Sequence, residues 1–570
     1  MKLFCNLPEI AGNKEIISQK CEQGKWRSME YRTKLGQGQL LAAAEDVYPE
    51  PVILNLNLKG WFKLYISLFD MDSTNYVFVK LSGDEEYTPV RQNRNGNPKN
   101  WIYSEYMEEI YWKCADMTNQ QVILAKPEAN FLSVSGLAWI RCEEMTEEEI
   151  ENYKGSLNKE NKCVQMHMDV DSFIEDRTQD KKEHFAKLHM LKDTNVDFCS
   201  LEYASTYDHE SDGDCWMPMR SSFKCVTGKY TYDEMFKKYL DYAHRNGIRL
   251  YATERMSMAI LNAHFENSLF SNNRFIIKNK QYYCKNRDGS AVNACSYAFE
   301  GVGDYVIDHM IRMVKMGFEG VSMIFHRGMH IGFEQPVIDR FAKLYPGVNP
   351  CLLPITDQRL HGVWCEFMTD FMRRVRRSLD IVSQEHIGIN VITDYGLETS
   401  KNLGLDVECW AREGLIDSAS QGDMETFEDL TDCMDDSNPE VIDLEKYKKR
   451  LEDSPVIKRN FCTNVKKVCQ HMPEYLKLEE LYGIKVYHVL PWVHTILPEK
   501  YGNVVEEMQS CGAKRFLAWN TNHMTWNLPE FHIVTRIGNK PDVTMTLRKF
   551  YRVLSLDNTD ISQFYPNWRG

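Results

Sequence analysis

The sequence predicts an α/β chain: a (β/α)8 barrel preceded by an antiparallel β-sandwich of jelly-roll type. Three observations carry this. At 570 residues the chain exceeds the roughly 250 to 300 residues that one core fills, so at least two domains are expected. Short apolar runs broken by turn residues occupy residues 1–145. From residue 163 onward, strand-length apolar runs alternate with helix-length amphipathic ones, the signature of repeated βα units.

In the forward region the runs are PVILNLNL, GWFKLYISLF, NYVFVKL, EEIYWKCA, QQVILAK and VSGLAWIRC. They are rich in Val, Ile, Tyr and Trp and lack helical periodicity, which suits a sandwich. Thr146 and Glu149 then stand in capping-box spacing at the head of TEEEIENYK, so 146–162 reads as a linking helix. Eight strand candidates follow: 163–170, 196–203, 248–256, 320–328, 387–394, 416–422, 484–492 and 515–522. Helix candidates such as YDEMFKKYLDYAHRNG and GVGDYVIDHMIRMVKMG end on a glycine, as C-cap geometry favours. An open doubly wound sheet would want a glycine-rich phosphate turn after the first strand, and HMDVDSFIEDRTQ has none, so a closed TIM-type barrel over 163–540 fits better. Residues 541–570 read as a tail packing on the barrel or the forward domain. Two insertions, 257–298 and 423–480, follow strands three and six, on the side where barrel active sites are built.

Composition narrows the partners. The formal net charge of −14 argues against a phosphate-backbone footprint, and so against nucleic acid. The amino-terminal stretch MKLFCNLPEIAGNKEIISQK lacks the apolar core of a secretory signal, and no run of about 18 apolar residues occurs. The chain therefore reads as cytoplasmic, with no membrane partner. Its 17 cysteines show no CxxC pairing and read as reduced thiols rather than a zinc or disulfide framework. No cofactor is expected, and a homo-oligomer is compatible with all of this. The high aromatic load suits a sugar-stacking cleft and an ordinary large core alike.

If the barrel is right, chemistry comes from polar residues at the C-terminal ends of its strands. Glycoside hydrolysis needs two carboxyl groups flanking the scissile bond, and Glu254, Glu202 and Asp394 are the catalytic candidates. Glu254 follows the apolar LYAT and adjoins Arg255; a structural Glu254–Arg255 pair at the rim is the competing reading. For Asp394 the competing reading is capping of a helix in the following YGLETS. Asp169, Asp171, Arg255, His326, Arg327, Glu334, Trp492, Trp519 and Asn520 are substrate-binding candidates. Arg327 and His326 can clamp a carboxylate or sulfate or pair with Glu334, and Trp492 and Trp519 can carry a sugar ring or simply pack. His167, Asp169 and Asp171, at period two, form an alternative metal set.

GIRLYATERM, GFEGVSMIFHRG, GFEQPVIDRFAKLYPGVNP, FMTDFMRRVRRSLD, GLDVECWAREGLIDSASQG, GAKRFLAWNTN and PEFHIVTRIG, in that order, resemble the family-10-like glycosyl hydrolases, bacterial barrel proteins that often carry a β-sandwich in front. The resemblance runs from about residue 163 to the end. It points to Arg255, Met256, Arg327, Glu334, Pro336, Trp410, Trp519 and Asn522, and implies a glycoside hydrolase. Three positions depart: Ile324, Met258 and Asn520 stand where relatives carry acids. An acid/base pair would have to be rebuilt from Glu254, Glu202, Asp169, Asp171, Asp394 or Glu334, because a neutral side chain cannot exchange the proton. The expectation is a hydrolase of a small oligosaccharide or glycoside. A metal-dependent hydrolase or sugar isomerase, and a non-catalytic carbohydrate-binding protein, are the alternatives.

Overall fold

The computed structural model describes residues 1–44, 47–69, 74–91, 106–127, 133–169, 181–202, 232–256, 274–325, 330–422, 434–435, 438–442, 465–491, 498–519, 521, 528–538 and 547–556. Eight parallel strands close a barrel: β1 (Val164–Asp169), β2 (Val196–Glu202), β3 (Leu250–Arg255), β4 (Gly320–Ile324), β5 (Gly388–Thr393), β6 (Ser418–Gln421), β7 (Lys485–Val489) and β8 (Phe516–Ala518). Closure is made where Val164 of β1 pairs with Phe516 of β8. All eight lie within the stretches that the apolar runs predict.

Local chemistry sets the helices between them. Helix Tyr232–Arg245 ends before Gly247 and helix Glu300–Met316 before Gly317, with φ of 66° and 122°, backbone that a side chain rarely adopts. Helix Glu147–Ser156 carries the expected capping box: Thr146 accepts from the Glu149 amide, and Glu149 accepts from that of Thr146. The insertion after β3 contains a hairpin, Tyr283–Lys285 with Ala291–Cys295. The last 16 residues of the second expected insertion, 465–480, belong to a barrel helix, Val465–Tyr482. No helix among the described residues is long and apolar enough to cross a membrane.

Among the described residues, eleven forward strands and one from the far end of the chain form one network of twelve strands. Six of them make a closed circuit of antiparallel pairings, in the order Trp26–Thr33, Arg548–Leu556, Tyr106–Asp116, Trp61–Phe69, Ser133–Glu144, Gln37–Ala43 and back to Trp26–Thr33. The second of these comes from the far end of the chain. Four others (Thr88–Arg91, Thr74–Leu81, Val122–Ala125, Val52–Leu54) form a smaller antiparallel group. The antiparallel order expected from the sequence is broken twice. Ser133–Val134 run parallel to Thr74–Asn75, since Thr74–Leu81 and Trp61–Phe69 have opposite directions, and Ile17–Ser18 run parallel to Trp26–Arg27.

Strand alternation sorts the side chains into two cores. Leu64, Ile66 and Leu68 share a cluster with Val77, Val79 and Leu81 of the smaller group. The other face packs Met29, Tyr31, Leu40 and Trp139 against Tyr551 and Val553 of the late strand. A buried carboxylate stands beside this second core with its bonds made: Glu109 accepts from Arg141 Nε (2.9 Å) and Nη2 (2.8 Å) and from Trp139 Nε1 (2.8 Å). The helix after β8, Leu528–Thr535, docks on these strands, where His532 Nε2–H donates to the Trp112 carbonyl (2.9 Å) and the ring lies 4.8 Å from Tyr111.

Candidate functional site

The lumen is built in layers from alternate strand residues. At the N-terminal end Phe198 stacks on Tyr251 (centroids 4.1 Å apart) and meets Tyr487 edge-on. A Cβ at Gly320 would lie 2.6 Å from the Tyr251 ring, so glycine there and at Gly388 makes room for it. Above this floor runs a buried polar belt. Asn390 Nδ2 donates to Ser322 Oγ (2.9 Å), Ser418 Oγ donates to Asn390 Oδ1 (2.8 Å), and Ser420 Oγ links Asn390 Oδ1 to Gln165 Oε1. Barrel interiors are more usually filled by branched apolar residues. Higher still, Ile324 of β4 and Ile392 of β5 share one cluster with Val489 of β7 and Ala518 of β8, which gives the mouth an apolar floor.

Below the floor, Asp197 forms an ion network. Val164 pairs with Val196 and Gln165 with Phe198, so Asp197 is the extra residue of a bulge, which re-aims its side chain. It accepts from Arg249, from Lys485 Nζ (2.7 Å) and from Tyr487 Oη (2.5 Å). Burial works to raise the Asp197 pKa, but the charge of Arg249 and the bonds from Lys485 and Tyr487 outweigh it and hold the carboxyl below its ordinary value. A cleft of about 1080 Å³ opens on this end of the barrel, opposite the face where barrel chemistry is expected.

Of the candidate carboxylates, Asp394 follows Asn390 and Ile392 at period two and lies on the lumen side of β5, 8% exposed. Its Oδ1 accepts from the Tyr395 amide (2.6 Å); the next helix, Leu397–Asn402, has Gly396 at its N-cap, so Asp394 does not cap it. Glu254 sits on the other side of its strand. It shares a face with Leu250, Ala252 and Met256 and turns its carboxylate to the helix layer, 3.6 Å from His309 Nδ1 of helix Glu300–Met316. Arg255 takes the lumen side with Tyr251 and Thr253, so the expected rim pairing of the adjacent Glu254 and Arg255 is not what the strand geometry favours. Asp169 and Glu202 are Cα partners in register at the ends of β1 and β2.

Glu334 is buried against backbone. It accepts from the Gly332 amide (2.9 Å) and the Lys285 amide (3.2 Å), tying the hairpin to the head of helix Gln335–Leu344. Burial pushes its carboxyl pKa up, against the pull of those amides. Trp519 is partly exposed, and one face lies flat on His167 (4.1 Å, 6°). Thr521 Oγ1 bonds the His167 carbonyl (2.8 Å). Of the residues the family resemblance marks, Trp410 is fully buried and donates to Thr369, and Met256 packs in the helix layer. Asp171, His326, Arg327, Trp492, Asn520, Asn522 and Met258 lie outside the described residues, so the metal trio and the Arg327 clamp have no described geometry. Among the described residues no group of three or more His, Cys, Asp or Glu is placed to hold a metal.

Sequence reasoning did not single out the polar belt or the Asp197 network. A run such as SASQ, polar inside a barrel strand, is the signal that marks the belt.

No family model and no curated protein matches this chain. Among solved structures it is similar to an α-galactosidase from Thermus thermophilus (11% identity, 90% of this chain and 94% of that one, TM-score 0.36). It is also similar to the catalytic domain of a β-amylase from Paenibacillus polymyxa (10% identity, 63% and 93%, TM-score 0.36). A third, a maltogenic α-amylase from Thermotoga neapolitana, matches at 10% identity and a TM-score of 0.28 over 58% of this chain and only 59% of its own. At these identities and TM-scores the likenesses carry no statement about activity.

Proposed function

We propose that this chain hydrolyses a glycosidic bond at the C-terminal mouth of the barrel, with Asp394 as one of the two working carboxyl groups. The observation that carries the reading is the placement of Asp394: a carboxylate on the lumen side of β5, at the strand end where barrel chemistry sits, above a partly apolar floor. The second carboxyl group is assigned to Glu202 or Asp169, in register at the ends of β1 and β2. Trp519, partly exposed and stacked on His167 beside the mouth, is assigned as the platform for a sugar ring. The substrate class is a small glycoside or oligosaccharide taken up by a bacterial cell, and the forward strands are read as a two-layer sandwich.

A panel of chromogenic glycosides tests this with the wild type and with Asp394→Asn, Glu202→Gln and Asp169→Asn. Asp394→Asn and one of the other two are expected to lose about a hundredfold or more in kcat on the same glycoside. A sugar-bound crystal structure should place the two carboxyl groups about 5 Å apart for retention, or about 6.5 to 9.5 Å apart for inversion. Full turnover by Asp394→Asn would overturn the assignment. A second reading, sugar binding without hydrolysis, is favoured by Ile324, an apolar residue at the mouth where the family that the sequence resembles has an acid. Calorimetric binding of a glycan with no product released would establish it instead.

A further inference from the structure

The cleft at the N-terminal end of the barrel has its charges sorted by sign. Cations line one side of the ring of strand starts: Lys485 opens β7, Lys162 precedes β1 and Arg249 precedes β3. Carboxylates line the other, at the heads of three consecutive strands: Glu319 before β4, Glu385 before β5 and Asp417 before β6. Asp197 of β2 interrupts the cationic side, but its Oδ1 is taken by Arg249 and its Oδ2 by Lys485 and Tyr487. Three cations therefore share one carboxylate. Lys162 Nζ donates to the Thr194 carbonyl (2.6 Å), and burial holds the ammonium below its ordinary pKa, a cost that an anion beside it would relieve.

On the acidic side His386 Nε2 meets Asp417 at 2.6 Å, Arg376 lies 3.5 Å from Asp417 and is shared with Asp380, and His244 lies 4.0 Å from Glu319. Among the described residues no Lys or Arg pairs with Glu319 or Glu385. Helices Glu300–Met316 and Gln358–Val382 end here, and the carbonyl ends of their dipoles add to the negative sign. Tyr251 reaches across from β3. Its hydroxyl rests against Gly388 of β5, faces the cleft and makes no hydrogen bond among the described residues.

We propose that this cleft is a binding site for a small zwitterion, an ω-amino acid, distinct from the mouth where glycoside chemistry is placed. The ligand carboxylate meets the free protons of Lys162, Arg249 and Lys485. Its ammonium meets Glu319, Glu385 and Asp417, and the Tyr251 hydroxyl accepts from it. In an eight-stranded ring β1 stands opposite β5, so the two ligand charges are separated by a chain of methylenes rather than by one carbon. Ile248, Phe318 and Ile387 line the cleft between the charged groups and cover that chain.

The test is calorimetric titration of the full chain with ε-aminocaproate, which should bind saturably and raise the thermal midpoint by mass action. Caproate and hexylammonium each carry one of the two charges and should bind at least about tenfold more weakly. Lys485→Gln and Glu319→Gln alter partly exposed side chains, so folding is not at issue. The first should weaken ε-aminocaproate and caproate and leave hexylammonium unchanged. The second should weaken ε-aminocaproate and hexylammonium and leave caproate unchanged. Glu366→Gln, at an exposed position outside the cleft, should bind as the wild type does. Caproate or hexylammonium binding as tightly as ε-aminocaproate would reduce the cleft to a site for one charge and overturn the proposal. Absence of saturable ε-aminocaproate binding, or full affinity in both cleft variants, would overturn it as well.

Discussion

The Glu254 carboxylate faces His309 from a distance of 3.6 Å, on the side of β3 that packs against the helices, and is 2% exposed. A carboxylate so placed braces the strand against helix Glu300–Met316 and is screened from the mouth by its own strand. Glu254→Gln is therefore expected to lower the unfolding free energy by about 1 to 3 kcal/mol, the cost of a weakened buried polar contact. Turnover, or sugar affinity, should stay within about threefold of wild type. Urea unfolding beside the glycoside panel checks both. Lost turnover at unchanged stability would return Glu254 to the working pair.

Asp197 holds the barrel floor, and its removal should be felt in stability. Asp197→Asn removes the carboxylate that Arg249 and Lys485 share and should cost about 1 to 3 kcal/mol at neutral pH, since both cations are partly exposed and stay solvated when it is gone. The pH dependence follows from the direction of the shift. The folded carboxyl titrates below its ordinary value, so its contribution is complete above an unfolded value of about 3.9 and is lost as pH falls through the folded one. The gap between wild type and variant should thus be flat from pH 7 to about 5 and narrow below about 4. Denaturant midpoints at each pH measure it, and a gap that widens on acidification would contradict the network.

These two residues show what a sequence can disclose about such a barrel. Strand positions are legible because seven apolar runs and the small polar run SASQ recur at βα spacing, and buried parallel strands are mostly apolar on both faces. That same two-sided burial hides which face a residue takes. Leu250, Ala252 and Glu254 alternate with Tyr251, Thr253 and Arg255, and neither set is marked as inner by polarity. Asp197 is harder still, because its aim depends on a bulge set by pairing with β1. Asp394, by contrast, was legible as a strand-end acid from the IGINVITD run alone.

His532 links the barrel to the forward strands in its neutral form. Burial, helped by the charge of Arg536, pushes its pKa down to about 3, although the bond to the Trp112 carbonyl works the other way. In the unfolded chain the imidazole gains a proton near 6.5, so unfolding takes up a proton between about pH 6.5 and 3, and stability falls as pH drops through that window. The slope from one such group reaches about 1.4 kcal/mol per pH unit. His488, also held down to about 3 by burial, adds a second of the same sign. His532→Gln keeps an N–H for Trp112 and removes one titrating group, so its stability should fall less steeply than that of the wild type between pH 6 and 4. Urea midpoints across that range decide the matter, and equal slopes would count against a neutral buried His532.

The strand Arg548–Leu556 closes the forward circuit about 400 residues after the strand Ser133–Glu144 has been made. It pairs with Trp26–Thr33 on one side and Tyr106–Asp116 on the other, and Tyr551 meets Trp139 edge-on at 5.4 Å. Without it both neighbours become free edges, and the cluster of Met29, Tyr31 and Trp139 loses its cover. A chain ending at residue 547 should therefore bind a hydrophobic dye, elute from gel filtration as aggregate, and regain neither property of the native protein on slow refolding. Tyr551→Ala, which keeps the backbone pairing, should stay soluble and cost about 2 to 4 kcal/mol. The closure is non-local, so it is late: the forward strands cannot complete their pairing until the barrel has been synthesised, and contacts of such separation are slow to form. A truncated chain that refolds to a soluble species with native-like near-ultraviolet circular dichroism would show that the circuit stands open without loss, and that the last strand is decoration rather than a stave.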